Sequence, residues 1–194
     1  MNLMTKMAQC AAAVLALSLP AFGQTAAQTE GLLVVYGVSA PASEGDTDHR
    51  EQIHFSLPAD TADRVYVRLY DPEINGTDDF TYGGPGDSIT TFRVVGGAGA
   101  FTQSFRPEMV NDRDRAPKVA LTTDPGKVLA EKQFDASPDT NGRWVNLGAV
   151  RARQGEVQGD RVHFRIDVDG TQGNDGNGYS VAVSTARGFY RAPC

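Results

Sequence analysis

Residues 161–169 (Arg-Val-His-Phe-Arg-Ile-Asp-Val-Asp) alternate polar and apolar side chains without a break. A strand points successive side chains to opposite faces, whereas a helix returns to the same face every 3.6 residues. The alternation therefore predicts an extended segment with Val162, Phe164, Ile166 and Val168 inward. The same period recurs along the chain. Ile53, Phe55 and Leu57 share one face of 52–57, and Val65, Val67 and Leu69 share one face of 64–70. Residues 179–184 alternate again, and 32–38, 88–95, 100–105, 118–123, 127–134 and 143–147 are further strand candidates. Segment 127–133 also admits a short helix. No long 3.6-residue pattern competes, and 21 Gly with 10 Pro supply the turns. Eight to ten short strands with one apolar face each bury those faces best as two packed sheets. The expected fold class is all-β, an antiparallel β-sandwich of jelly-roll type.

The first residues read as an address rather than as part of that fold. Lys6 precedes an apolar run over 10–22, too short to span a bilayer, and Ala21-Phe22-Gly23 places small residues where a signal peptidase cuts. The expectation is a secretory signal over 1–23 and a single β-sandwich domain over 24–194, periplasmic or secreted, with no transmembrane segment in the mature chain. Cys10 would leave with the signal, and Cys194 would remain as a lone terminal thiol that could pair between chains. A net charge of −6, from 24 acidic and 18 basic side chains, argues against nucleic acid as a partner, since phosphates demand a basic face.

The acids are mostly Asp and concentrate in two loops. Residues 167–179 (Asp-Val-Asp-Gly-Thr-Gln-Gly-Asn-Asp-Gly-Asn-Gly-Tyr) leave one strand and return into another, offering Asp167, Asp169, Asn174, Asp175 and Asn177 among flexible glycines. Residues 70–80 (Tyr-Asp-Pro-Glu-Ile-Asn-Gly-Thr-Asp-Asp-Phe) offer Asp71, Glu73, Asn75, Asp78 and Asp79. Calcium takes six to eight oxygens from carboxylates, amides and backbone carbonyls at flexible geometry, and a divalent cation relieves the mutual repulsion of clustered carboxylates. Calcium is therefore the cofactor expected, with Asp167, Asp169, Asn174, Asp175, Asn177, Asp71, Asp78 and Asp79 as candidate ligands. The spacing is not that of an EF-hand, which closes on a Glu at its twelfth position. Asp-Gly and Asn-Gly are also ordinary turn chemistry, which accounts for the same residues without a metal.

The strand ending in Val67-Arg-Leu-Tyr-Asp-Pro, followed by its acidic loop, resembles secreted bacterial β-sandwich modules of the pre-peptidase C-terminal type. Residues 159–170 (Gly-Asp-Arg-Val-His-Phe-Arg-Ile-Asp-Val-Asp-Gly) are similar to the strand and loop that close such modules, and the acidic-loop logic is like that of C2 domains. The resemblance implies a non-catalytic, sometimes calcium-dependent accessory domain. The departure is that no catalytic domain precedes it.

Catalytic patterns are weak. His49, His54 and His163 accompany no Gly-x-Ser-x-Gly, and no His-x-x-x-His or Cys cluster suggests zinc. His163 reads as a solvated strand residue, and Gly96-Gly-Ala-Gly-Ala as a hairpin or bulge rather than a phosphate loop. The expected function is an exported, non-enzymatic binding or adhesion module, its partner a surface polysaccharide or another exported protein. Two alternatives stay open. One is a carbohydrate-binding module using Tyr66, Arg68 and Tyr70, which share an outer strand face where rings could stack on sugars. The other is a small secreted hydrolase using loop carboxylates. Trp144 reads as core.

Overall fold

The computed structural model describes residues 28–29, 32–40, 49–76, 78–82, 86–102 and 126–185. The signal segment 1–23, Cys194, the exposed loop 110–117 and the first hairpin arm 118–123 lie outside the described residues.

Ten strands are described: β1 (Gln28–Thr29), β2 (Leu33–Tyr36), β3 (Arg50–Pro58), β4 (Val65–Tyr70), β5 (Ile89–Gly96), β6 (Lys127–Phe134), β7 (Trp144–Val150), β8 (Glu156–Gln158), β9 (Arg161–Gln172) and β10 (Gly176–Ser184). A single 3-10 turn, Ala152–Gln154, interrupts them. All pairings are antiparallel and fall into two sheets. The first runs β1-β10-β4-β7, with β2 also on β10; the second runs β3-β9-β5-β6, with β8 on β9. The sheets pack face to face as a β-sandwich.

The alternation read from the sequence fixes which face each strand buries. On β9, Val162, Phe164, Ile166 and Val168 are fully buried. Their partners from the opposite sheet are Val67, Leu69, Leu147, Val150, Tyr179 and Val181, which join them in one core cluster. Phe92 of β5 meets Tyr179 of β10 edge to face, with centroids 5.0 Å apart, so one aromatic pair spans the two sheets. Phe55 stacks on Phe164 across the β3–β9 pair. Burying each of these large side chains contributes about 1.5–3 kcal/mol.

Three expectations change. Segment 127–134 is strand, not helix, and it pairs with β5. Residues 100–102 of the 100–105 candidate are turn rather than strand, and 103–105 lie outside the described residues. Gly97 and Gly99 take positive φ, and the turn folds onto the outer face of the second sheet, where Arg165 donates to the Ala100 carbonyl. Trp144 is half-buried on the outer face of the first sheet, directly opposite Tyr70 in the β4–β7 register. Among the described residues no helix is long and apolar enough to cross a membrane.

Candidate functional site

The two acidic loops meet at one end of the sandwich. Loop 71–82 leaves β4 and runs beside the start of β10, where Phe80 and Gly176 exchange a pair of backbone hydrogen bonds, both 2.9 Å. Gly178 N donates to Asp79 Oδ1 at 2.7 Å, and Tyr82 N donates to Asp175 Oδ1 at 2.9 Å. Asn177 Nδ2 donates to the Pro72 carbonyl and to Thr90 Oγ1. Gly178 has no side chain for a physical reason: a Cβ there would collide with the Asp78 carbonyl.

The candidate ligands divide between two places. Asp167 and Asp169 do not join the meeting loops. They sit on the polar face of β9, because the apolar even-numbered residues take the core, and arginines engage both. Arg165 pairs with Asp167 at 2.6 Å, and Gln52 also donates to it. Arg50 pairs with Asp169 at 2.5 Å, and Arg93 bridges Asp169 to Glu131. These ion pairs lace the outer face of the second sheet.

Asp175, Asn177, Asp71, Asp78 and Asp79 do stand where the loops meet. Asp175 is buried, and each carboxylate oxygen accepts one backbone N–H, from Tyr82 and from Asp87. Asp79 is similarly occupied, by Gly178 N and Gly76 N. Asp71 adopts φ 51° and accepts Gly142 N through Oδ1, which leaves Oδ2 turned towards Gly76. A Cβ on Gly76 would lie 2.7 Å from Asp71 Oδ2 and 3.1 Å from Asp79 Oδ2, so two carboxylates flank this glycine. Asp78 is exposed. Asn174 contributes its backbone N–H to Asp87 Oδ1.

Glu73 differs from all of them. It is 1 % exposed, yet neither carboxylate oxygen has a hydrogen-bond partner. Burial pushes its carboxyl up to about 7, and the charges of Asp71, Asp79 and Asp135 push in the same direction. Asn177 is also 1 % exposed, and its Oδ1 is equally without a partner. Asp79 is raised by burial too, against the opposing pull of its two backbone hydrogen bonds. The contrast with Glu51 is instructive, because Tyr179 OH donates to that carboxylate at the same end of the core. Among the described residues no three His, Cys, Asp or Glu side chains are already gathered as a metal centre.

Glu73 stands in the sequence between Pro72 and Ile74, both buried, so the loop turns it inward among apolar neighbours. That flanking pattern is the one signal in the sequence that separates it from the solvated acids around it.

Elsewhere, Tyr66, Arg68 and Tyr70 do share the outer face of β4. Arg68 Cζ lies 5.5 Å from the centre of the Tyr66 ring, and Tyr70 meets Trp144 with centroids 5.4 Å apart. Arg68 is buried there, while Tyr66, Tyr70 and Trp144 are half-buried. His163 is half-buried rather than solvated, stacked on Phe101 at 4.3 Å.

No family model matches the chain, and neither a curated protein nor a solved structure matches it.

Proposed function

We propose that this chain is an exported, non-catalytic β-sandwich module of the binding or adhesion type, in which calcium consolidates the end formed by loops 71–82 and 173–178. The observation that carries this reading is the convergence of the two loops, which hydrogen bonds between them hold at one rim with Asp79 and Asp175 among the acceptors. Hard oxygen donors, no sulfur, and loops built from turns are the setting calcium tolerates and smaller, more demanding cations do not. Asp167 and Asp169 have no part in it, being held by arginines on the other sheet.

An ion bound only by the folded state stabilises it by RT ln(1 + [L]/Kd), about 2.7 kcal/mol at a hundredfold excess over Kd. For a chain of this length that raises the melting temperature by roughly 5–10 °C. Heat unfolding in calcium and in chelator measures it. A melting temperature unmoved by calcium would reject the reading.

A second reading, carbohydrate binding, is supported by the Tyr70–Trp144 pair on the outer face of the first sheet. Half-exposed rings on one face can stack on sugar rings. Retention on polysaccharide columns, lost in Trp144→Ala, would favour it.

A further inference from the structure

We infer that residues 97–102 form a strap across the outer face of the second sheet that stays closed at neutral pH and lifts in mild acid, with the imidazoles of His54 and His163 around Phe101 as its sensor. No residue of the acidic rim takes part, so the inference stands apart from the calcium reading.

Three attachments hold the strap down, and they reach it from three strands. Glu156 of β8 holds its end: Phe101 N and Thr102 N donate to Oε2 at 2.6 and 3.1 Å, and Thr102 Oγ1 donates to Oε1 at 2.5 Å. Arg165 of β9 holds its middle, donating from Nη1 to the Ala100 carbonyl at 3.1 Å. The third attachment is the Phe101 ring. It stacks on His163 of β9, with centroids 4.3 Å apart and 28° between the planes, and meets His54 of β3 edge to face at 5.7 Å. Gly97 and Gly99, at φ 78° and 89°, give the chain the reversal that lays it on the sheet.

The charges around the two imidazoles set the direction of the response. Arg165 stands directly opposite His54 in the β3–β9 register, and its guanidinium forks Asp167 at 2.6 and 3.0 Å, so that acid is already neutralised. Glu156 stands opposite His163 in the β8–β9 register, but both of its oxygens are engaged by the strap. Of the other charges on this face, Arg161 of β9 bonds Ser56 of β3, and Arg50 of β3 and Arg93 of β5 pair with Asp169. The strap carries no charge of its own. Protonating both imidazoles therefore sets three cations, His54, His163 and Arg165, around one phenyl ring while the nearby acids are committed elsewhere. Burial, then the charges of Arg165 and His163, hold the His54 imidazole below its ordinary 6.5, against the pull of Asp167. A histidine held low in the closed state takes its proton more readily once the strap lifts, so a fall in pH through the histidine range favours lifting. Glu156, at about 2, stays charged across that range, so the latch itself does not titrate there.

The test is amide exchange by NMR on the full-length protein between about pH 7.5 and pH 5, corrected for the intrinsic rate, beside the titration of the two histidine rings. Wild type should lose protection at Phe101 and Thr102 across that range, in step with His54, while Phe164 and Ile166 in the core keep theirs. The double variant His54→Gln with His163→Gln should show no such loss. Constant wild-type protection at Phe101 and Thr102 would overturn the inference whether or not the double variant folds. So would an equal loss in the double variant, or a wild-type loss that begins only below pH 4.5, where Glu156 would be the group responding.

Discussion

Three buried acids illustrate how much a side chain's surroundings decide. Asp175 and Glu156 are buried acids whose oxygens are filled by donors, whereas Glu73 is a buried acid whose oxygens are not. Removing Asp175 as Asp175→Ala would strand two backbone N–H groups, and hydrogen bonds to charged acceptors contribute about 1.5–3 kcal/mol each. Urea unfolding should register a loss of roughly 3 kcal/mol or more; a loss below about 1 kcal/mol would mean water replaces the carboxylate easily. Glu156 carries a pH prediction. Burial acts to raise its carboxyl, but donation from Thr102 Oγ1 and from the N–H groups of Phe101, Thr102 and Gly99 prevails and holds it at about 2, below the ordinary 4.5. A depressed acid stabilises the fold fully above its unfolded value and loses that contribution as pH falls through its folded one. Stability should therefore decline between pH 4.5 and 2, and Glu156→Gln should flatten the decline, as read from urea midpoints across that range. At this scale the sequence was only partly legible. The acids of both loops were visible as oxygen donors, but composition cannot distinguish a carboxylate capped by N–H groups from one left bare. Asp167 and Asp169 show the other limit. Their parity on β9 turned them outward; the arginine partners of Asp169, Arg50 and Arg93, come from strands distant in sequence, whereas Asp167 pairs with Arg165 two residues before it.

Among the elements, β9 does most to organise the fold. It pairs with β3 along one edge and with β5 and β8 along the other, and its apolar face lies at the centre of the core. Phe164→Ala should cost about 3–5 kcal/mol, the range for a large aromatic removed from a packed core, measured as the shift in the urea midpoint at constant slope. The strands were the most legible part of the molecule, because each carries its own period of two. Residues 161–169, 65–70 and 179–184 all appear as strands with the expected face inward. Legibility failed where partner choice decides the outcome. β8 is only three residues long and exists because β9 offers it an edge. Residues 97–102 have strand-like composition at Ala100 and Phe101, yet the positive φ of Gly97 and Gly99 turns the chain back over the sheet. Gly178→Ala tests the β10 junction. Its Cβ would strike the Asp78 carbonyl, so the substitution should force loop 71–82 off β10, and amide exchange at Gly176 and Phe80 should quicken. Unchanged exchange would show that the two loops do not brace one another.

The whole molecule joins a well-packed apolar body to a rim where negative charge outruns its partners. The sandwich follows from strand patterning, and the rim follows from where β4, β9 and β10 end, which no local pattern encodes. If the two loops close on a cation, the ion is what reconciles a chain of net charge −6 with buried carboxylates at one end. The most direct measurement is a crystal structure grown with millimolar calcium and examined by anomalous scattering. The account predicts a peak at the rim where loops 71–82 and 173–178 meet, within about 2.3–2.6 Å of carboxylate oxygen. A map with no peak there, or with its peak beside Asp167 and Asp169, would contradict it.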